Sequence, residues 1–196
     1  MHRQMSVAQY RAMDVSIFAI LLMLFETVVT KAATAWFPDE PYTVSVTAAV
    51  TAIVLIRWGP WAALHACLGG LVYALVAGGT ARQFAIYGLG NLLSLAALAL
   101  KKPLGGDEAI RSSALKSLAF GLAVILLMQL GRALCAVALG LMPGAAYAFF
   151  TTDVVSVLFT LVIVWIVRRL DGVFENQLHY LRRLEAERER EKGGYR

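Results

Sequence analysis

The sequence predicts an all-α integral membrane protein: a six-transmembrane-helix bundle with both termini in the cytoplasm and a charged cytoplasmic helix at its carboxyl end. Three observations carry that prediction. Of the 196 residues, 59% are hydrophobic and only 16% charged, whereas soluble domains are about 45–50% apolar and about 25% charged. The apolar residues fall in long runs without charge, divided by short connections rich in Pro and Gly. Lys and Arg are placed so asymmetrically along the chain that they fix an orientation.

A spanning helix needs about 20 mostly apolar residues, and six segments come close: 15–35, 42–56, 61–77, 84–100, 115–141 and 146–167. The second is the shortest. Their ends are punctuated by Pro38 and Pro41, Gly59-Pro60, Gly78-Gly79, Pro103 with Gly105-Gly106, and Pro143-Gly144, residues that do not continue a helix comfortably. Gly69-Gly70 and Gly88-x-Gly90 interrupt the third and fourth segments; in lipid such glycines mark close helix–helix approach more often than a break. The first apolar run is too long for a signal-peptide core and has no small-residue cleavage site after it. Residues 1–14 are therefore expected to be a cytoplasmic segment, 15–168 the membrane domain and 169–196 a charged tail.

With six spans and the amino terminus inside, 15 of the 18 Lys and Arg residues lie on the cytoplasmic side: Arg3, Arg11, Arg57, Lys101, Lys102, Arg111, Lys116, Arg168, Arg169 and those of the tail. The outer connections, 36–41, 78–82 and 142–145, hold only Arg82. Five or seven spans would put a strongly basic region outside. Trp36, Tyr42, Tyr147, Phe149 and Phe150 then fall at the outer interface, and Trp58, Trp61 and Trp165 at the inner one, the depths that amphipathic rings prefer. Residues 170–192 are polar and helix-forming, with Phe174, Leu178, Leu181 and Leu184 at roughly helical spacing. They read either as a solvated extension of the sixth helix, steadied by i,i+4 pairs, or as an element that docks onto a cytoplasmic partner or forms a short coiled coil.

No enzymatic constellation stands out. There is no Cys-x-x-Cys, no His-x-x-x-His and no phosphate loop, and Cys67 and Cys135 lie in apolar runs as small buried hydrophobes. His65 and Cys67 are two apart on a helix and do not face each other; His65 reads as a packed, hydrogen-bonding histidine. No metal site or cofactor is expected.

The informative residues are ionisable ones inside spans, each costing about 2.5–3.5 kcal/mol at mid-bilayer on insertion scales. They are Glu26 and Lys31 in helix one, Arg132 in helix five and Asp153 in helix six. At about 1.5 Å per residue, all four fall between the midplane and the outer surface. Gln83, Tyr87 and Asn91 share one face of helix four at the same level; Gln129 neighbours Arg132, and Asp153, Ser156 and Thr160 form a stripe. The patch is either a set of interhelical pairs that fixes the bundle, such as Arg132 with Asp153 or Glu26, or a ligand pocket open to the outside. No titratable chain continues inward to make a proton relay. In the pocket reading Arg132 takes an anionic ligand group and Asp153 or Glu26 a cationic or hydroxyl group. Gln83, Tyr87, Asn91 and Gln129 orient the ligand, Lys31 stands at the outer rim, and Trp36 and Tyr42 close over it. Alanine at Arg132 or Asp153 is then expected to abolish binding and leave the bundle folded.

The run Arg57-Trp58-Gly59-Pro60-Trp61, the small-residue-rich third helix after it, the chain length and the six short spans together resemble the substrate-binding (S) components of energy-coupling factor transporters. The resemblance covers residues 10–168 and not the tail. It implies a multi-pass subunit of a bacterial cytoplasmic membrane that captures a vitamin-like micronutrient with helices four to six and the outer loops. It also implies partners, namely one transmembrane coupling subunit and two ATPase subunits, so that this chain is not itself an enzyme and binds no nucleic acid. The family contacts its coupling subunit through small residues four apart on helix one; the matching stretch here is Ala8-x-x-x-Ala12-x-x-x-Ser16, which ends in Ser rather than Ala. The rival reading is a scaffolding membrane protein that recruits a cytoplasmic partner through its charged tail. A stand-alone carrier or membrane enzyme fits less well, since neither inverted repeats nor a reactive constellation is visible.

Overall fold

Ser6 ends the amino-terminal segment by capping a helix: its hydroxyl accepts the Gln9 N–H while the Gln9 side chain returns to the Ser6 N–H, the reciprocal arrangement that satisfies two orphan donors. The computed structural model describes residues 6–38 and 42–193; Arg3 and Pro41 lie outside them. Helix α1 runs from Val7 to Trp36, followed by α2 (Thr47–Trp58), a 3-10 turn (Gly59–Trp61) and α3 (Ala62–Val76). Next come α4 (Ala81–Gly90), continued by a 3-10 stretch (Asn91–Leu100), then α5 (Gly106–Ser112) and α6 (Ala114–Ala138). Two short turns of helix, α7 (Pro143–Ala146) and α8 (Ala148–Thr151), precede α9 (Val154–Val167), and α10 (Gln177–Gly193) follows. No strand occurs among the described residues.

The chain is all-helical and membrane-embedded in character. Four helical stretches are long and apolar enough to cross a bilayer: Val7–Trp36, Thr47–Val76, Ala81–Leu100 and Ala114–Ala138. The pair Pro143–Thr151 and Val154–Val167, bent by 42°, makes a fifth if it counts as one span. The second stretch is not straight. Gly59, at φ +58, takes a conformation that side chains rarely adopt, and the chain reverses there so that Thr47 packs directly on Gly69. The expected second helix is therefore shorter than the sequence suggests. It begins at Thr47 rather than residue 42, is about 18 Å long at the usual rise, and is preceded by the non-helical, largely buried segment Thr43–Val46.

The interrupting glycines are contact points. Gly90 and Gly131 sit backbone to backbone where α4 crosses α6, and Gly70 lies against the Tyr87 backbone. A β-carbon at Gly131 would overlap the Gly90 carbonyl, which cannot swing away as a side chain could. Gly131→Val is expected to cost about 3 kcal/mol or more, read as a lowered thermal midpoint in detergent. Gly144→Ala, whose added carbon meets open space, is expected to leave the midpoint unchanged.

Most of the basic residues that the sequence assigns to the cytoplasm gather at one end of the bundle. There Lys101 pairs with Asp107 at 2.8 Å and Arg111 with Asp171 at 3.0 Å. The start of α1 and the base of the tail meet at this same end, where the Tyr10 hydroxyl contacts the Gln177 side chain. The tail is not an extension of the last membrane helix. Helix α9 stops at Val167, the chain turns through residues 168–176, and Phe174 and Gln177 are fully buried against the bundle. Arg57 holds this corner. Its guanidinium donates to the Gly172 and Val173 carbonyls and grips both oxygens of Asp14 at 2.6 and 2.9 Å, while the Trp58 indole N–H also donates to Asp14 at 2.6 Å.

Candidate functional site

At the opposite end, the sequence places an acid at the start of a helix: Asp153 stands at the N-cap position of α9. An Asp there would ordinarily cap the helix through its side chain. Here it makes no cap bond. Its Oδ2 accepts from Arg132 Nη1 at 3.1 Å and Gln129 Nε2 at 3.3 Å, and its Oδ1 accepts from the Thr43 hydroxyl at 2.8 Å. The carboxylate joins α6 to the non-helical segment before α2. Arg132 is brought within reach by the Gly90–Gly131 crossing, donates from Nε to Asn91 Oδ1 at 2.7 Å, and stacks over the Tyr87 ring at 5.0 Å, a cation–π distance. Asn91 is fixed in turn by donating to the Ala66 carbonyl at 2.9 Å.

The second pole is Glu26, completely buried on α1. Its Oε2 accepts from the Val46 N–H and the Thr47 hydroxyl, both at 3.0 Å, while its Oε1 has no partner among the described residues. The Thr30 hydroxyl, one turn on and on the same face, is likewise buried without one. Between the poles lies Thr43–Val46. Its backbone is satisfied by the Thr152 carbonyl, which accepts the Thr43 N–H at 3.0 Å, and by Ser156, which donates to the Thr43 carbonyl at 3.1 Å and accepts the Ser45 N–H at 3.0 Å. Within a bilayer, non-helical backbone is tolerated only where it is buried in protein or lines a water-filled cavity, and the groups of this segment are met by protein.

Glu26, Tyr87, Asn91, Gln129, Arg132 and Asp153 are thus brought together, with Ser156 and Thr160 buried beside them on α9. Lys31 and Gln83 are not. Lys31 lies on the exposed side of α1. Gln83 closes a capping box with Thr80, accepting the Thr80 N–H at 2.7 Å, a Thr-x-x-Gln signature readable in the sequence. Trp36 and Tyr42 are exposed, and Tyr42 packs edge-on against Phe37 rather than over the cluster. Sequence reasoning missed Thr43, Ser45 and Thr47, because it placed them inside the second spanning helix, 42–56. It also missed Tyr73, whose ring lies 4.7 Å from that of Tyr87.

Ala8, Ala12 and Ser16 line one exposed face of α1. His65 is buried and bonds the Val15 carbonyl at 3.1 Å. Among the described residues no three His, Cys, Asp or Glu side chains converge as a metal would require. The polar cluster is closed. A cavity of about 570 Å³ lies instead between α1, α2 and α9, and every residue lining it is apolar. Comparison of the chain with protein-family models, with curated proteins and with solved structures returned no match.

Proposed function

We propose that this chain is the ligand-capture subunit of an energy-coupling-factor-type micronutrient importer of the bacterial cytoplasmic membrane, with six spans and both termini inside. The observation that carries the reading is the buried, unwound Thr43–Val46 segment, strung between an acid with an unpartnered oxygen and an Arg–Asp pair. Broken helices that offer backbone groups and charges at membrane depth are the form in which transporters build small-molecule sites. The arrangement suits a small polar ligand with both a cationic and an anionic group. Glu26 takes the cationic or hydroxyl group through its free oxygen, and Arg132 takes the anionic group when Asp153 releases it. The Thr43–Asp153 bond is the latch, since it ties the connection after α1 to α9. The exposed small face of α1 at Ala8, Ala12 and Ser16 is available to a coupling subunit, whose two ATPase partners supply the energy.

The test is to purify the tagged chain gently from its native membrane and analyse it by native mass spectrometry. A coupling subunit with two ATPases, or a small molecule retained by the wild type, supports the reading. Glu26→Gln keeps an acceptor for Val46 and Thr47 but removes the charge, and is expected to weaken ligand retention about 10- to 100-fold without unfolding the bundle. Unchanged retention removes Glu26 from the site. One observation favours a second reading: the tail corner is built into the bundle through Arg57, as a rigid base for presenting α10. A purified complex free of ATPases, whose cytoplasmic partner is lost on deleting residues 178–196, would make the chain a scaffold instead.

A further inference from the structure

The apolar cavity is separate from the polar cluster and faces the surroundings of the bundle. Helix α1 packs on α2 and α3, and α9 packs on α2 and α6, so α1 and α9 flank α2 as two walls with Val50 and Ile53 as the floor. Along α1 the groove extends from Phe18 to Val29, about 16 Å at the helical rise. That is close to one leaflet, half of a hydrocarbon core about 30 Å thick. The α9 wall, Leu158 and Val162, continues by helical spacing to Trp165 and Arg169 at the basic end.

The chemistry changes sharply at that end. Arg57 follows Ile53 on the α2 face but is neutralised by Asp14 at 2.6 Å. Arg168 and Arg169 are not neutralised. Among the described residues neither has a carboxylate within ion-pair distance, the Arg168 Nε is buried without a hydrogen-bond partner, and the Arg169 guanidinium lies over the Trp165 ring at 4.3 Å. Arg168 follows Val164 on the α9 face that packs on Gly121 of α6, so the groove face carries Arg169. A leaflet-long apolar groove continued by an interfacial Trp and one uncompensated arginine has the charge and length complementarity of one lipid. We propose that the α1–α9 groove is a site for an anionic phospholipid, with an acyl chain along Phe18–Val29 and the phosphate held by Arg169.

The full chain in neutral detergent would be offered equimolar phosphatidylglycerol and phosphatidylcholine of matched chains, and bound lipid counted by native mass spectrometry. The expected result is a phosphatidylglycerol adduct preferred about tenfold or more. The preference should fall about fivefold in Arg169→Gln. Val162→Trp, at a half-exposed position, should remove the adduct of either lipid by filling the groove, with the thermal midpoint confirming that the bundle is intact. Equal retention of the two lipids overturns the proposal, as does a preference that survives Arg169→Gln. So does a protein dimer that Val162→Trp abolishes in the absence of any lipid adduct, which would assign the groove to a second copy.

Discussion

Asp153→Ala is expected to lower the stability of the bundle by about 3–5 kcal/mol, the usual consequence of leaving one member of a buried ion pair without its partner. The side chains of Arg132 and Asp153 are 5% and 2% exposed, so water cannot replace what the substitution removes. Arg132 would keep only Asn91 and the Tyr87 ring, Gln129 would lose its acceptor, and Thr43 its latch. The measurement is the thermal midpoint in detergent, together with protease sensitivity of the 37–46 connection. Asp153→Asn retains the shape and one acceptor oxygen, which can still face Arg132 and Gln129 while its NH2 donates to the Thr43 hydroxyl, and should lose less. The decisive comparison is the double variant Arg132→Met with Asp153→Leu. Removing both charges together spares the lone-charge penalty and commonly restores or raises stability, yet it removes the groups assigned to the ligand. A double variant as stable as wild type that no longer binds separates the site's role in binding from its role in folding. One that still binds the ligand normally would show that the pair only fixes helices. This revises the expectation drawn from sequence, that single alanines would leave the bundle intact.

That revision shows where sequence reasoning stops. The common level of Glu26, Arg132 and Asp153 within the bundle was legible because helical rise converts residue number into height, and the shared face of Tyr87 and Asn91 because period 3.6 converts it into direction. The glycines were legible as close approaches because lipid rewards small residues between helices. What could not be read was any contact that depends on non-helical geometry. Thr43 and Ser45 meet Asp153 and Ser156 more than 100 residues away, through a segment whose composition is indistinguishable from a strand or a helix start. Gln83 was assigned to the polar face by periodicity, but a local competitor, the capping box with Thr80, claimed it. The reading of the tail as an extension of the sixth helix fails for the same reason. Residues 168–176 contain no proline and one glycine, Gly172 at φ +69, so the local signal for a turned corner is a single residue; the corner is held by Arg57, which lies in a different helix and was read as an inner-side charge and as part of the Arg57–Trp61 run.

Arg57→Ala is therefore expected to release the carboxyl corner while the membrane helices hold. The wild-type guanidinium satisfies two carbonyls of the corner and both oxygens of Asp14 at once. Its loss strands an acid that keeps only the Trp58 indole and removes the clamp over Phe174, which is fully buried. Losing a hydrogen-bonded buried charge of this kind costs about 3 kcal/mol or more. Spread over a local opening rather than global unfolding, that becomes about a hundredfold faster amide exchange across residues 170–177. Hydrogen exchange read by mass spectrometry distinguishes the outcomes. Fast exchange confined to the corner and the first turn of α10, with α6 still protected, identifies Arg57 as the hinge pin between bundle and tail. Uniform acceleration through α1 and α2 would instead make it part of the core, since Asp14 and the Phe18 ring that the guanidinium covers at 4.9 Å belong to α1. Arg57→Lys refines the result. A lysine can pair with Asp14 as a point charge but cannot span the carboxylate and two carbonyls with one planar fork. It should keep α1 protected and still loosen the corner, which would show that the geometry of the guanidinium, and not its charge alone, holds the tail in place.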